Sequence, residues 1–198
     1  MSLKRAFKSL TLSSLVAVSA MSVAQADEKN GFFLGLGYQQ GRAGENAYRV
    51  PLTSGMHLYG LGAQIGGVGF VNKWFGGQIY GFFDYQNSPR IGANSNDKYN
   101  VYTYGGAADM IVNFIATSPF SMGLVGGIQL AGTTWDYKDW TLHTGFQFLF
   151  NVGGRIRIGD HSAIQAGIKF PMIPQNTNHN KNMMTRYYAW YVNYVFTF

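Results

Sequence analysis

The chain has 198 residues, of which 12% are charged and 16% are aromatic; 26 are glycine and none is cysteine. A soluble domain carries about 25% charged residues, and the mean hydropathy of −0.06 is far from that of a helical membrane protein. The composition therefore disfavours both classes, and the lack of cysteine excludes a disulfide framework. It fits strands that face lipid with every second residue.

The N-terminus has the features of a secretory signal peptide. A basic start, MSLKRAFK, precedes an uncharged and mostly apolar run, and Ala24 and Ala26 occupy the small-residue positions of a cleavage site. We predict that residues 1–26 are removed and that residues 27–198 form the mature chain; a helical anchor is the alternative. The mature chain has 12 Lys and Arg against 9 Asp and Glu, without a basic run, so nucleic-acid binding has no support.

Eight later segments alternate between apolar residues and small or polar ones with a period of two, which is typical of strands with one apolar face. In chain order the predicted strands cover residues 30–39, 58–67, 74–85, 99–112, 120–131, 144–158, 162–170 and 186–198. One face of each strand is rich in aromatic and aliphatic residues. The other face is rich in Gly, Gln, Asn, Ser and Thr.

The longest uncharged stretch, from Met110 to Trp135, is long enough to cross a bilayer as a helix. It contains Pro119 and four glycines, which disfavour a helix by about 3 kcal/mol for the proline and about 1 kcal/mol for each glycine. A strand needs only about 9–11 residues to cross. We therefore predict a turn near residues 118–119 and a strand after it.

The eight strands predict an all-β fold, an eight-stranded antiparallel transmembrane β-barrel. Only helices and closed barrels pair all their backbone polar groups inside a bilayer, and eight is the smallest strand number of bacterial barrels. The small, neutral second face suits the inside of a narrow barrel. A soluble barrel or sandwich is the alternative, but its second face would be richly charged.

The last predicted strand keeps its apolar face up to the final residue. This face consists of Tyr188, Trp190, Val192, Tyr194, Phe196 and Phe198. Chain ends usually fray, but the last strand of a barrel must pair with the first. Barrel closure therefore explains a regular strand at the terminus.

The connections are predicted to alternate between long outer loops and short inner turns, as in bacterial barrels. The outer loops cover residues 41–56, 86–98, 136–143 and 171–185, and the inner turns lie near residues 70–73, 113–119 and 159–161. Five aromatic residues near strand ends are expected to form a girdle at the membrane interface: Trp74, Tyr85, Tyr99, Trp135 and Trp140.

Five charged side chains fall on faces that we predict to point inward: Asp84, Asp109, Arg155, Arg157 and Lys169. A lipid-facing Arg or Lys at mid-depth costs about 2–4 kcal/mol, whereas buried charges are tolerated when they are paired. We predict a lumen network in which Asp84 and Asp109 face the three bases. The alternative is that some of the five are solvated at the membrane edge.

The sequence contains no residue set that indicates catalysis, cofactor binding or metal binding. His57, His143, His161 and His179 lie at strand ends or in loops without a second ligand at metal spacing, and no Ser–His–acid set falls on one wall. Residues 60–69 are rich in glycine, but no predicted helix follows, so a phosphate loop is not expected. We expect a protein that is not an enzyme and has no cofactor.

Four stretches resemble a known family. EKNGFFLGLGYQQG, GLVGGIQLAGTTW and the run FQFLFNVGGRIRIGDHSAIQAGIKFPMI with YYAWYVNYVFTF are similar to the Helicobacter outer-membrane protein family, the Hop and Hor porin and adhesin group. The resemblance implies an outer-membrane location among lipid and lipopolysaccharide, and a terminal aromatic strand read by the barrel-assembly machinery. The chain has no room for the large extracellular domain of the family's adhesins, so no receptor site is carried over.

Two functions remain open at this stage. One is a structural or surface-contact protein, adhesin-like, whose loops meet a host-surface ligand of unknown nature. The other is a narrow porin-like channel for small solutes. Side chains just fill the lumen of an eight-stranded barrel, which disfavours a wide pore, although the lumen glycines leave additional room.

Overall fold

The structure is a computed structural model that describes residues 28–44, 55–88, 99–137, 140–172 and 185–198. The predicted signal peptide and its cleavage site lie outside these residues and remain predictions. The strands are β1 (Gly31–Gly44), β2 (Met56–Phe70), β3 (Phe75–Ser88), β4 (Tyr99–Ala116), β5 (Phe120–Tyr137), β6 (Trp140–Ile158), β7 (Ser162–Pro171) and β8 (Thr185–Thr197). Across the described ranges, no helix has the length and hydropathy that a membrane span requires.

The eight strands form one closed antiparallel barrel in chain order. Each strand pairs with the next one, and β8 pairs with β1. Every strand therefore has a partner on both sides, and no open sheet edge has to be covered. The predicted eight-stranded antiparallel barrel is confirmed, and each predicted strand overlaps one observed strand.

The two ends of the described chain meet in the seam between β1 and β8. Phe33 pairs with Thr197, and the backbone N–H of Phe198 donates to the Phe32 carbonyl over 2.8 Å. The final residue is thus hydrogen-bonded to the first strand. This pairing gives a structural reason for the regular alternation at the end of the sequence.

The barrel wall separates the two faces of every strand. Outward side chains are exposed, and Leu36, Leu61, Met110 and Phe146 are each more than 60% exposed, whereas the intervening positions point into the lumen. Apolar surface of this extent is unfavourable in water and is the surface that a transmembrane barrel presents to lipid. The predicted outward apolar face is confirmed.

Several strands extend beyond their predicted ends. β5 and β6 continue until Tyr137 pairs with Trp140, which reduces the predicted loop at 136–143 to residues 138–139. β1 and β3 extend into the predicted loops 41–56 and 86–98, and β4 extends into the predicted turn at 113–119. The predicted ends were wrong because backbone groups continue to pair after the apolar alternation has stopped.

The connections at one end of the barrel are short, as predicted. They comprise residues 71–74, 117–119 and 159–161. In the first, the Asn72 side-chain oxygen accepts the backbone N–H groups of Trp74 and Phe75 over 2.8 and 2.9 Å. In the third, Gly159 has a φ of 70°, which glycine adopts at little cost. We call this end, which faces the periplasm in bacterial barrels, the turn end, and the opposite end the loop end.

The predicted aromatic girdle is wrong at Trp135. Its side chain is 1% exposed and packs inside the barrel with Ala43, Leu58 and Val101. Trp135 has the parity of the inward residues of β5, and this alternation continues to the loop end. The girdle candidates with exposed or partly exposed side chains are Trp74 and Tyr85. Those whose side chains lie outside the described set are Tyr99 and Trp140.

The packing of the wall predicts that Gly60→Ala destabilises the barrel and Gly106→Ala does not. A Cβ at Gly60 would collide with the Tyr85 carbonyl oxygen and the Gln86 backbone, whereas a Cβ at Gly106 would meet no atom within 4 Å. Overpacking of this kind costs about 1–3 kcal/mol. The measurement is the temperature at which the folded band of the detergent-solubilised protein converts to the unfolded band on a gel. Equal midpoint temperatures for the two variants would contradict this packing.

Candidate functional site

The lumen holds the charged side chains that the sequence analysis singled out. Asp84, Asp109, Arg155, Arg157 and Lys169 all point inward, and none is more than 6% exposed. Alternate residues of a strand share one face, so β6 directs both arginines into the same space. The five residues are distributed over β3, β4, β6 and β7.

At the turn end, one carboxylate binds two guanidinium groups. Glu28 precedes β1 and is 4% exposed. Its Oε2 lies 3.2 Å from Arg155 Nη2 and 3.0 Å from Arg157 Nε, and its Oε1 accepts a hydrogen bond from Asn113 Nδ2 over 2.9 Å. Both carboxylate oxygens are therefore engaged. We call Glu28, Asn113, Arg155 and Arg157 the turn-end cluster.

Arg157 connects the turn-end cluster to two of the short turns. It donates to the carbonyl oxygens of Gly159 and Thr117 over 2.6 and 3.3 Å, and to Ser121 Oγ over 3.2 Å. The guanidinium of Arg155 lies 5.2 Å from the centre of the Phe70 ring, within the range of a cation–π interaction. The cluster therefore joins the segment before β1, the wall and the turns at this mouth of the barrel.

The arginines keep the Glu28 carboxylate ionised. Burial raises the pKa of the Glu28 carboxyl. The charge of Arg155, hydrogen bonds from Ser121 and Arg155, and the charge of Arg157 lower this pKa, and together they outweigh the effect of burial. The pKa therefore lies below its ordinary value of 4.5. A carboxylate in this state neutralises one of the two buried guanidinium charges.

In the middle of the lumen, Asp109 is held by neutral donors. Gln78 Nε2 and the Tyr80 hydroxyl each donate to Asp109 Oδ2 over 2.9 Å. Gln129 Nε2 donates to the Tyr80 hydroxyl over 3.1 Å, and Gln165 Nε2 donates to Gln78 Oε1 over 3.0 Å. This middle layer connects β3, β4, β5 and β7 across the lumen.

Nearer the loop end, Lys169 and Asp84 form a buried ion pair. Lys169 Nζ lies 2.7 Å from Asp84 Oδ2, and Gln39 Nε2 donates to Asp84 Oδ1. The Lys169 ammonium group also lies 5.2 Å from the centre of the Phe82 ring and 5.5 Å from that of Tyr191. The charge of Lys169 is thus balanced by one carboxylate and surrounded by aromatic faces.

Arg186 is a second buried base in the loop half of the lumen, which is the part between the layer around Asp109 and the loop end. It is 1% exposed, and its Nη2 donates to Thr103 Oγ1 on β4. Thr103 Oγ1 lies 3.5 Å from Thr133 Oγ1, and Thr133 donates to Gln147 Oε1 over 2.9 Å. These contacts link β8 to β4, β5 and β6.

The charge network differs in part from the predicted one. The structure brings Asp84 and Lys169 together, whereas Asp109 is hydrogen-bonded by neutral donors. The predicted pairing of the two β6 arginines with Asp84 and Asp109 is wrong, because both arginines bind Glu28. The reason is geometric, since the arginines lie near the turn end, where the segment before β1 enters the lumen.

The sequence analysis missed two lumen residues, Glu28 and Arg186. Glu28 precedes the first strand, so the period-two pattern does not indicate whether its side chain points inward or outward. Arg186 has the parity of the outward residues of β8, but a β-bulge leaves Tyr187 out of the pairing with β1 and turns Arg186 inward. For Arg186 the available signal was the charge itself, because an arginine at a position that faces lipid is unfavourable.

The described histidines make local contacts. His57 stacks on the Tyr59 ring, and His161 contacts Lys29 Nζ and the Thr197 carbonyl. Among the residues that the structure describes, no three His, Asp or Glu side chains are grouped so that they could hold a metal ion. The side chains of the other two histidines, His143 and His179, lie outside the described set.

A closed eight-stranded barrel with an apolar outer surface, a packed polar lumen and short turns at one end defines a small outer-membrane β-barrel protein. Residues 62–198 match the family model described as Helicobacter outer membrane protein. The chain therefore belongs to this family, and its place is the outer membrane. No curated protein matches the chain.

Two solved structures illustrate the fold. Neisserial surface protein A is 16% identical, with a TM-score of 0.50 over 86% of this chain and 100% of its own. Ail, the attachment invasion locus protein of Yersinia pestis, in complex with the heparin analogue sucrose octasulfate, is 12% identical, with a TM-score of 0.50 over 86% of this chain and 99% of its own. At these identities the similarity concerns the fold alone.

The turn-end cluster predicts that Glu28→Gln lowers the thermal stability of the barrel, whereas Asp160→Asn does not. Glu28 is the buried partner of both arginines, but Asp160 is 73% exposed and lies 4.0 Å from Arg157. Removing one partner of a buried ion pair costs about 3–5 kcal/mol, whereas an exposed pair contributes at most about 1 kcal/mol. The unfolding midpoint in detergent measures both effects.

The pH dependence of the stability difference between the wild type and Glu28→Gln separates the contribution of the Glu28 charge from that of its hydrogen bonds. Because the folded-state pKa of Glu28 is lowered from 4.5, its stabilising contribution is complete above that value and is lost as the pH falls through the folded-state pKa. The difference in stability between the wild type and Glu28→Gln should therefore shrink below a pH of about 4.5. A difference that is the same at neutral pH and at about pH 3 would contradict the role of the Glu28 charge.

Proposed function

We propose that the protein is a non-enzymatic surface-contact protein of the outer membrane. The barrel acts as the anchor, and the connections at the loop end form the contact surface. The observation that carries this proposal is the packed lumen, because side-chain layers cross it at three levels. A protein with such a lumen interacts with its surroundings through its loops.

The three levels differ in chemistry, but each places interacting side chains across the lumen. The turn-end cluster occupies the periplasmic mouth, the hydrogen bonds around Asp109 cross the middle, and the ion pair between Lys169 and Asp84 crosses the loop half. An eight-stranded barrel has a lumen that side chains just fill. These layers support a barrel without an aqueous path.

The sequence of two loop segments favours an anionic ligand. Residues 89–98 contain Arg90, Asp97 and Lys98, and residues 173–184 contain Lys181 and no acidic residue. Each of the two segments therefore has one more basic than acidic residue. Ail has been solved with a heparin analogue, so a sulfated polysaccharide at a host surface is the first ligand class that we propose to test.

Export and assembly belong to the same proposal. Cleavage after Ala26 would release the chain into the periplasm, and the barrel-assembly machinery would read the aromatic face of β8. In support, Phe198 is 55% exposed on the outer surface while its backbone pairs with Phe32. Lipid and lipopolysaccharide surround the assembled barrel.

The packed lumen predicts that the purified wild-type protein gives no discrete current steps in planar lipid bilayers. A porin reconstituted in the same bilayers provides the positive control, and folded protein is verified on a gel before reconstitution. Current steps that scale with the amount of folded protein would contradict the proposal. They would favour the second candidate, a narrow channel.

One observation favours that second candidate. Several buried amide atoms along the lumen have no hydrogen-bond partner within the described part of the protein, among them Gln64 Nε2, Gln129 Oε1 and Asn151 Oδ1. Buried polar groups of this kind usually bind water. A connected row of waters between them would provide a narrow path for small solutes.

The loop charges predict the outcome of a binding experiment on cells that display the protein. Replacement of Arg90, Lys98 and Lys181 by Gln should reduce attachment to heparin-coated surfaces, and added salt should weaken the attachment of wild-type cells. Asp97→Asn is the matched control, which removes a loop charge of the opposite sign and should preserve attachment. Equal attachment of cells with and without the protein would exclude sulfated polysaccharide as the ligand.

A further inference from the structure

The described buried residues in the loop half of the lumen carry more positive than negative charge. Among the described buried residues of this half, Lys169 and Arg186 are basic and Asp84 is acidic. Asp84 is already bound by Lys169 Nζ at 2.7 Å, and Asp109 lies six residues nearer the turn end in the register of β4 with β3. A buried cation without a counter-charge is strongly disfavoured. Asp84 interacts electrostatically with Arg186 as well as with Lys169, so one carboxylate serves two bases, and the remaining positive charge calls for a counter-ion.

Arg186 also has hydrogen-bond donors that the protein does not use. Its Nη2 donates to Thr103 Oγ1, but Nε and Nη1 are buried without an acceptor among the described residues. A guanidinium remains protonated in proteins and presents its N–H groups in a planar fork that suits anions. The unused donors thus point to an anionic ligand.

Two amide side chains near Thr103 have unused donors as well. Gln86 lies two residues after Asp84 on the same face of β3 and pairs with Val101, two residues from Thr103 on β4. Its Nε2 and Oε1 are buried without a partner in the described ranges. Gln147 accepts a hydrogen bond from Thr133, but its own Nε2 is unpartnered. Through Thr103 and its neighbours, the unused donors of Gln86 and Gln147 belong to the same stretch of the lumen as the Arg186 guanidinium.

An apolar cluster lies between this region and the loop end. Val101 is two residues beyond Thr103 on β4 and pairs with Trp135, and both pack with Ala43 and Leu58. All four apolar side chains are at most 1% exposed. The desolvation penalty of an ion rises with its charge, so an enclosed position favours a small monovalent anion over a multiply charged one.

We propose that the loop half of the lumen contains a buried binding site for a small monovalent anion, chloride in the first instance, with Arg186 as its central ligand. Gln86 Nε2 and Gln147 Nε2 are the further donors. The bound ion neutralises the surplus positive charge and satisfies the donors that the wall leaves unused. It stabilises the barrel by connecting β8 to the strands on the opposite side.

The test compares the folded full chain in detergent in sodium chloride and in sodium gluconate at equal ionic strength. Chloride should raise the unfolding midpoint of the wild type by about 2–4 °C, the shift expected when the anion is present at a few times its dissociation constant. Arg186→Gln should lose this difference. Arg42→Gln, a matched change at a partly exposed arginine, should keep it.

A second measurement does not depend on the folding of the variant. Wild-type crystals grown with sodium bromide should show an anomalous bromide peak within about 3.5 Å of Arg186 Nε or Nη1. The proposal is overturned if the wild type has the same midpoint in both salts, if Arg186→Gln keeps the full chloride effect, or if bromide peaks occur elsewhere but not at Arg186.

Discussion

The backbone pairing of β8 with β1 is the interaction on which the rest of the structure depends. Unpaired N–H and C=O groups cost several kcal/mol each inside a bilayer, so the sheet is stable there only when it is closed. Closure commits one face of every strand to lipid and the other to the lumen. It also places the segment before β1 at the turn end, where Glu28 meets Arg155 and Arg157 although β1 and β6 are not neighbours in the sheet.

A narrow lumen restricts what the inward faces can contain. Each inward charge is removed from water, so it must find a partner within the reach of one side chain. At the turn end this condition is met, because both oxygens of Glu28 are engaged. In the loop half it is met for Lys169 and Asp84, whereas Arg186 retains unused donors. The two halves of the lumen therefore differ in how completely the protein satisfies its own polar groups.

The parts of this structure that depend on alternation could be predicted from the sequence, and the parts that depend on local exceptions could not. Period two identified the strands, their faces and the inward position of Asp84 and Lys169. It failed for Glu28, which precedes β1 and so belongs to no alternating segment. It also failed for Arg186, because a β-bulge shifts the alternation there by one residue. Trp135 is a different case. Its position in the alternation of β5 indicated that it faces the lumen, and only its place near a strand end suggested the membrane interface.

The proposed anion site and the proposed absence of conduction support each other on physical grounds. An ion at Arg186 would have to leave along the barrel axis to carry current. Towards the loop end its way is occupied by Val101 and Trp135, which are at most 1% exposed, and towards the turn end by the hydrogen-bonded layer around Asp109. An anion held between these two barriers adds one more connection between opposite walls. It therefore contributes to the rigidity of the barrel that presents the loops.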